Sequence, residues 1–363
     1  MADPRRSASQ LFDPKRLELA RKVKALRKNQ LAEQVGVSPA AITQYETGRS
    51  RPGPSVLASM ALALGFPVDF FSSGRPVSSL DPSTTHFRSL RATRQLERAS
   101  AVSRAELAWE LAQLLEHHVR LPLVDLPDVA VGQAPTGEEL EDVAGDVREA
   151  WSVPSGPIAN VVRLLEIHGI IVSRLQSGLH RVDAFSRWFE ERPLVVLCAD
   201  KRDAARSRFD AAHELGHLVM HQDAEPGEVK AEREAQAFAA AFLMPASVMR
   251  EELPARLDWQ RLITLKRVWG VSVSALLYRS RTLGVMSDPA YKRAMATMSK
   301  RGWRTSEPGD IGPPEAPSLF ARSIELVARR GVTLEQLADG LCLPVDLVLE
   351  IAALDEDRPS VFS

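Results

Sequence analysis

The segment AAHELGHLVMH (211–221) places two histidines and a glutamate at a spacing that could hold a metal ion. His213 and His217 stand four positions apart, so on a helix they share one face and can occupy two positions of a zinc tetrahedron. Glu214 projects beside them, where a general base for a zinc-bound water would have to stand. The spacing predicts a Zn²⁺ site with Glu214 as the catalytic base.

A third ligand is needed, and the next predicted helix, over 230–243, offers two glutamates. Phe238 and Phe242 mark its buried face. Measured from the centre of that face, Glu234 lies at about 60° and Glu232 at about 100°, by the helical period of 100° per residue. Glu234 is therefore the predicted third ligand. His221 is an alternative, although three successive helical histidines would spread far along the helix axis.

A further donor to the developing oxyanion would help such a reaction. Tyr278 or His221 could serve, and no spacing argument selects between them.

The segment LAEQVGVSPAAITQYETGRSRP (31–52) predicts a helix-turn-helix. Leu31, Ala32 and Val35 lie on one short helix, Gly36 makes the turn, and Ser38 caps a second helix. A second helix this short can lie in the major groove of DNA. The segment therefore predicts binding to double-stranded DNA.

Several side chains of this segment are predicted to contact DNA. Outward-facing residues of the second helix can read bases, because Gln pairs with adenine and small methyl groups touch thymine. The cap residue and nearby basic residues can hold phosphates without reading sequence. The predicted DNA-binding residues are Lys28, Ser38, Ala40, Ala41, Thr43, Gln44, Arg49 and Arg51.

Charge is distributed unevenly along the 363 residues, although the net charge is only −1. Residues 1–53 hold eleven Lys/Arg against five Asp/Glu, whereas residues 101–150 hold three Arg against eleven Asp/Glu. A basic N-terminal part suits phosphate binding. Only two cysteines occur, which excludes a disulfide framework and a cysteine-rich zinc site. No signal peptide or membrane span is evident, so we expect a cytoplasmic protein without membrane contact.

The pattern of apolar residues and breaks predicts four segments. The first is a helix-turn-helix domain over 14–72, followed by a helical and Pro-rich linker over 73–156. The third is a mixed domain over 157–287, with strands at 169–173 and 193–197 and helices at 204–221, 230–243 and 258–283. The fourth is a helical C-terminal domain over 316–355.

Two further sequence features bear on assembly and on the tail. The amphipathic helix predicted at 103–119 could be the seam of a homodimer, because a helix-turn-helix protein that reads a palindrome is a dimer. A basic stripe at Arg88, Arg91, Arg94 and Arg98 could track DNA or meet the acidic segment. Residues 332–351 share the Gln-Leu-Ala pattern of 25–45, either as a degenerate repeat or as two hairpins of equal length.

The stretch from Leu17 to Phe71 resembles the XRE (lambda-repressor-like) family. The resemblance implies that Arg21 in the first helix pairs with Glu46 at the end of the third. One departure concerns the start of the second helix, where the family has a Thr or Ser cap followed by Gln and this chain has Arg27 and Lys28. Lys28 could contact the same phosphate as a point charge.

The stretch from Ile158 to Ser287 resembles the ImmA/IrrE metallopeptidase family. The phrases that carry the resemblance are PLVVLCADKRDAARSRFDAAHELGHLVMH, EREAQAFAAAFLMP and VSVSALLYRSRTLG. The pairing of HExxH with a Glu-Ala pair on the next helix is that of gluzincin-type enzymes. The resemblance implies a zinc endopeptidase that cleaves an XRE-type repressor to release stress, phage or mobile-element genes.

Together these features predict a multidomain fold: an all-α helix-turn-helix domain, an α+β gluzincin-like metallopeptidase domain and a helical C-terminal tail. The predicted function is a DNA-binding transcriptional regulator with a zinc-dependent endopeptidase, whose partners are an operator, a repressor-type protein and a second copy of the chain. The alternative is a regulator whose zinc domain is a non-catalytic sensor or scaffold, including one within a toxin–antitoxin module.

Overall fold

The computed structural model of the chain describes residues 11–72, 95–129, 132, 135–175, 184–198, 203–221 and 228–354. Within these ranges no helix combines the length and the apolar character that crossing a membrane requires. Arg88, Arg91 and Arg94 of the predicted basic stripe lie outside the described residues.

The N-terminal part is all-helical and contains the predicted helix-turn-helix. Its helices are α1 (Pro14–Val23), α2 (Lys28–Val35), α3 (Pro39–Glu46) and α4 (Pro54–Leu64), followed by a 3₁₀ turn (Val68–Ser72). Gly36 ends α2 at φ 73°, a left-handed conformation that glycine adopts without strain. Ser38 Oγ accepts a hydrogen bond from the Ala41 amide at 3.2 Å and so caps α3.

The pairing of Arg21 with Glu46 is confirmed. Arg21 Nε donates to Glu46 Oε1 at 2.5 Å and Nη2 donates to Oε2 at 3.1 Å. This bidentate contact joins α1 to the end of α3. Ile42, which points from α3 into the same domain, is fully buried. The second helix of the motif is therefore held in one orientation on α1.

A three-stranded sheet and two long helices form the mixed domain. The strands are β1 (Ile171–Leu175), β2 (Phe185–Phe189) and β3 (Arg192–Cys198). Their order is β1-β3-β2, with β1 parallel and β2 antiparallel to β3. Two of these strands match the predicted ones within two residues. The strand β2 was not predicted, because FSRWF carries neither an alternating nor a β-branched pattern.

The sheet separates two apolar cores. Ile171, Leu194 and Val196 face the first core, which also contains the N-terminal helices and the C-terminal tail. Val172 and Val195 face the second core, which belongs to the mixed domain. Successive residues of a strand point to opposite faces, so both faces of this small sheet are covered.

The helices of the mixed domain surround the second core. They are α7 (Val161–Ile167), α8 (Ala204–Met220), α9 (Val229–Leu243), α10 (Ala246–Glu252), α11 (Trp259–Trp269), α12 (Val273–Thr282) and α13 (Asp288–Lys300). The helix predicted over 258–283 is divided into α11 and α12, because Gly270 adopts φ 64° and Ser272 caps the next helix. A left-handed glycine followed by a serine cap is a helix boundary.

The segment expected as a linker, 73–156, contains two helices that belong to the cores. One is α5 (Gln95–Glu116) and the other is α6 (Gly137–Ala150), which packs on α9. Leu107, Leu111 and Leu115 of α5 are fully buried within this chain. The structure thus differs from the expectation that this helix is a dimer seam, since α1, the tail and the sheet already cover its apolar side.

The tail consists of three short helices, two of which resemble α2 and α3 in length and spacing. Its helices are α14 (Leu319–Ala328), α15 (Leu334–Leu341) and α16 (Val345–Ile351). Both α2 and α15 have eight residues and end at a left-handed residue, Gly36 in one and Cys342 in the other. The sequence similarity between residues 25–45 and 332–351 is therefore accompanied by equal helix length and the same kind of helix end. The tail packs on α5 and, through α16, on β1.

The tail's second helix differs from α3 in charge. Asp346 and Glu350 stand at the positions that correspond to Ala40 and Gln44 of α3 when Val348 is matched with the buried Ile42. Acidic side chains at these positions repel phosphates. The second helix of the tail therefore carries acidic residues where α3 carries uncharged ones, and one of them, Glu350, pairs with Arg104.

A buried ion pair joins the N-terminal domain to α5. Arg16 Nη1 lies 2.6 Å from Glu110 Oε1, with the two side chains 0% and 4% exposed. The Arg16 guanidinium also lies over the Phe70 ring, 5.1 Å from its centroid. Ser100 Oγ on α5 donates to the Val23 carbonyl at 3.0 Å. The helix-turn-helix is thus anchored on α5 by polar contacts as well as by apolar packing.

Replacing Glu110 alone should destabilise the chain strongly. Glu110→Leu leaves the buried Arg16 charge without this carboxylate, and we expect the free energy of unfolding to fall by about 3–5 kcal/mol. The double variant Arg16→Met/Glu110→Leu should regain most of the loss. Urea unfolding followed by circular dichroism measures both.

The matched control for this experiment is Lys22→Ala, which removes the partly exposed Lys22–Glu18 pair from the same helix α1. Its effect should be about 0.5 kcal/mol or less. A single variant Glu110→Leu as stable as this control would contradict the assigned role of the buried pair.

Candidate metal centre and DNA-binding surface

The helix α8 holds the two histidines side by side in the interior. Asp203 caps it by accepting a hydrogen bond from the Arg206 amide at 3.1 Å. His213 and His217 are 1% and 3% exposed, and their Nε2 atoms lie 3.2 Å apart. Residues four apart on a helix lie one above the other, so both rings point the same way. The predicted histidine pair is therefore assembled as expected from its spacing.

The carboxylate that meets the pair is that of Glu232 on α9. Glu232 Oε2 lies 3.4 Å from His213 Nε2, and Oε1 lies 3.4 Å from His217 Nε2. Ligand atoms of these three residues all lie within 4.8 Å of one another. In the part of the chain that the structure describes, this is the group of His, Cys, Asp and Glu residues positioned to share a metal ion.

Glu234, the predicted third ligand, is directed elsewhere. Its Oε2 lies 2.9 Å from His221 Nε2. The prediction centred the buried face of α9 on two phenylalanines, but Ala235 as well as Phe238 approaches α8 at Gly216. Measured from Ala235, Glu232 lies at about 60° and Glu234 at about 100° by the helical period. The side of α9 that carries Ala235 therefore turns Glu232, and not Glu234, toward the histidines.

Gly216 explains why α9 comes so near. A Cβ at Gly216 would lie 2.9 Å from Phe238 Cδ1 and 3.3 Å from the Ala235 Cα. Hence only a glycine lets the two helices pack at this distance. The glycine within the HExxH segment is thus part of the positioning of Glu232.

Electrostatics favour a neutral, ligating state of the ring and a charged carboxylate. Burial lowers the pKa of His217. For Glu232, burial acts to raise the pKa, but hydrogen bonds from His213 and His217 outweigh it, so the pKa lies below its ordinary value. Two imidazoles with a carboxylate are a donor set that suits zinc. The site presents these donors at neutral pH.

Glu214 lies beside the histidines and is held by the sheet. It is 1% exposed, and Ser186 Oγ on β2 donates to its Oε2 at 2.7 Å. A carboxylate that accepts such a bond keeps a defined orientation. Ser186 was not predicted as a site residue, because the unpredicted strand β2 brings it there. A polar residue between Phe185 and Arg187 gives no signal by itself.

A cleft of about 410 Å³ runs beside the centre. Asp210, one helical turn before His213 on α8, and Gln236, one turn after Glu232 on α9, line it. Tyr278, a suggested oxyanion donor, also lines this cleft and is 39% exposed. The remaining wall combines apolar side chains, among them Phe209, Met244 and Trp303, with polar and charged ones that include Arg206 and Arg304.

The predicted DNA-binding side chains form an exposed surface. Ala40, Thr43 and Gln44 on α3 are exposed, and Ala41 is half-buried. Arg49 and Arg51, just beyond α3, are also exposed.

Two of the predicted phosphate contacts are already engaged within the chain. Lys28 Nζ lies 3.0 Å from Glu46 Oε2. The ammonium group predicted to contact a phosphate therefore already forms an ion pair with this carboxylate. Ser38 Oγ accepts the capping bond at α3, and its hydroxyl hydrogen can still be donated to a phosphate.

Comparison with protein families finds matches for two segments of the chain. Residues 17–71 match the helix-turn-helix family model, and residues 165–281 match the M78 peptidase family model, described as the IrrE N-terminal-like domain. A comparison with the curated proteins finds none that matches. The expected fusion and its fold class, a helix-turn-helix followed by a mixed domain and a helical tail, are confirmed. The chain therefore joins an XRE-type DNA-binding helix-turn-helix domain to an IrrE/ImmA-like domain of the M78 metallopeptidase family in one polypeptide.

Proposed function

We propose that this regulator is a zinc-dependent endopeptidase that cleaves a repressor-type protein in a stress or mobile-element response. The observation that carries the proposal is the buried Glu214, which follows the ligand His213 on α8 and is oriented by Ser186. A purely structural zinc site needs ligands and has no use for a base. The presence of this carboxylate favours a catalytic centre over a sensor.

The donor set supports zinc as the cofactor. His213, His217 and Glu232 would hold the ion through two nitrogens and one carboxylate, and three protein ligands leave a further position open in a tetrahedral site. The pKa of His217, lowered by burial, keeps this ring neutral as a ligand must be. When bound, zinc would polarise a peptide carbonyl and acidify a water molecule.

The chain's own groups supply the proton transfer. Glu214 takes a proton from the attacking water onto its carboxylate and returns it to the nitrogen of the leaving amine, so that the peptide bond is replaced by a carboxyl and an amino group. The bond from Ser186 restrains the carboxylate during both steps. The interior position of the histidines excludes bulk water.

The cleft beside the centre supports a peptide as substrate. It begins one helical turn from His213, which is about 4.5 Å along the axis of α8. Two carboxylates that line the cleft already accept hydrogen bonds from backbone amides at helix starts, Asp203 at α8 and Glu307 at α12. They are therefore engaged within the protein. The aromatic part of the wall would contact apolar groups of the substrate, and Arg206, Asp210 and Arg304 would meet its polar groups.

DNA binding is assigned to the surface of α3. Gln44 would pair with adenine, and Ala40, Ala41 and Thr43 would contact thymine methyl groups. Ser38, Arg49 and Arg51 would hold phosphates, with Lys28 contributing beside Glu46. The operator would be palindromic and read by a homodimer. Since α5 is covered within the chain, the second copy would have to use another surface.

Zinc content distinguishes the two glutamates. We expect one zinc per chain in the wild type after loading with excess zinc and gel filtration. His217→Ala and Glu232→Ala should lose the metal, because each removes a ligand. Glu234→Ala is the matched variant two residues away; it keeps all three ligands, so it should hold the metal after the same loading, at a lower affinity than the wild type. Elemental analysis measures all four, and zinc lost from Glu234→Ala but kept by Glu232→Ala would reverse the ligand assignment.

Removing the base should stop cleavage and spare the metal. Glu214→Gln should bind zinc as the wild type does and cleave at least about 10²–10⁴-fold more slowly, because Gln cannot accept the proton. The assay incubates each protein with a peptide library made from a bacterial proteome and identifies new N-termini by mass spectrometry. Wild-type protein that holds zinc and produces none would favour the non-catalytic sensor.

The two kinds of DNA contact should respond differently to mutation. Gln44→Ala should weaken binding to the operator selected from a random duplex library by about 1–3 kcal/mol and relax its sequence preference. Arg51→Ala should weaken binding to all sequences and reduce the salt slope by about 1. Arg329→Ala, an exposed cation in the tail, is the control and should change neither. Equal effects of all three variants in a filter-binding titration would contradict the assignment.

A further inference from the structure

A second row of polar contacts begins on the far side of the His217 ring. His217 Nδ1 lies 3.2 Å from His221 Nδ1, and His221 Nε2 lies 2.9 Å from Glu234 Oε2. The side chains of His221 and Glu234 are 7% and 13% exposed. Three groups from α8, from its C-terminal end and from α9 thus form a continuous hydrogen-bonded row that ends at a metal-facing imidazole.

The positions of the protons in this row follow from valence. A neutral His217 that offers Nε2 to a metal carries its hydrogen on Nδ1. The facing nitrogen, His221 Nδ1, must then accept, which leaves the hydrogen of His221 on Nε2. That hydrogen points at Glu234 Oε2, and a carboxylate only accepts. Every contact in the row has one donor and one acceptor.

The opposite arrangement fails at both ends. If His221 Nδ1 donated, His217 would carry its hydrogen on Nε2 and could not ligate a metal. In a neutral His221 the same choice would also set a lone pair of Nε2 against the Glu234 carboxylate. The row therefore selects the single tautomer of His217 that leaves Nε2 available.

We propose that His221 and Glu234 are positioning residues that fix the orientation and the tautomer of His217 for metal binding. This inference rests on the proposed metal site. Two glutamates on one turn of α9 would then have different roles. Glu232 is a ligand beside the Nε2 atoms of the histidines, and Glu234 accepts a hydrogen bond from His221, which in turn contacts Nδ1 of His217. Partners of this kind are worth about 10–100-fold in metal affinity.

The experiment measures the zinc dissociation constant of the full-length chain by competition with a chromophoric chelator. His221→Leu removes the acceptor for His217 Nδ1–H, and its zinc affinity should fall about 10–100-fold. In His221→Asn the smaller side chain still offers Oδ1 near the position of His221 Nδ1 and can accept the same bond, so this variant should bind zinc more tightly than His221→Leu does. A packing role predicts the reverse order, because leucine is the better apolar filler.

The second pair of variants tests the outer end of the row. Glu234→Gln keeps an acceptor for His221 Nε2–H, whereas Glu234→Leu does not, and zinc affinity should be lower for the leucine variant. Lys230→Gln is the matched control. Lys230 Nζ is 3.9 Å from Glu234 Oε1 and 49% exposed, so its loss should leave zinc affinity unchanged.

Imidazole ¹⁵N spectra of the zinc-loaded chain give a readout that does not depend on cleavage. With Nε2 of His217 bound to zinc, His217 should carry its hydrogen on Nδ1 and His221 should carry its hydrogen on Nε2. A hydrogen on Nδ1 of His221 in the wild type would overturn the proposal, as would equal zinc affinity of the leucine and asparagine variants.

The outcomes also separate this proposal from the proposed function. A chain that binds zinc with the expected order of affinities but cleaves no peptide overturns the endopeptidase and leaves the positioning role intact. If the variants at His221 and Glu234 bind zinc as the wild type does and the wild type cleaves peptides, the positioning role is overturned and the endopeptidase is supported. Wild-type protein without zinc affinity overturns both.

Discussion

The close approach of α8 and α9 at Gly216 is the constraint on which the candidate metal centre depends. A histidine pair on one helix supplies two ligands, and a third must come from another element. The missing Cβ of Gly216 allows Ala235 and Phe238 to pack directly on α8. That contact sets the rotation of α9, and the rotation decides which glutamate reaches the Nε2 atoms. A larger residue at Gly216 would separate the helices and move Glu232 away.

The helix α5 links the DNA-binding domain to the peptidase domain through an ion pair on one side and an aromatic stack on the other. It pairs with α1 through Glu110 and Arg16, and the neighbouring Trp109 stacks on Phe189 of β2 at 5.9 Å between centroids. The strand β2 also carries Ser186, the hydrogen-bond donor to Glu214. The two halves are therefore parts of one packed body, with the helix-turn-helix attached to the outer face of the sheet and Glu214 beneath its inner face.

Much of this architecture follows from local sequence. The helix-turn-helix is specified by Gly36 and the Ser38 cap, the two ligating histidines by their spacing of four, and two of the three strands by β-branched runs. The strand β2 and the contributions of α5 and α6 to the cores were not predicted. The hydrophobic patterns of these segments are short or interrupted. Their secondary structure and burial depend on the elements against which they pack.

The sequence alone determined the chemistry available: a histidine pair with a glutamate on one helix, two glutamates on the next, and a polar surface on a short second helix with two arginines just beyond it. These properties depend on neighbours within one or two turns, so the helical period is sufficient to derive them. Only the tertiary structure decided that Glu232 meets the histidines, that Glu234 meets His221, and that Ser186 holds Glu214. Each of these contacts joins separate elements, and the packing of small residues between those elements sets its geometry.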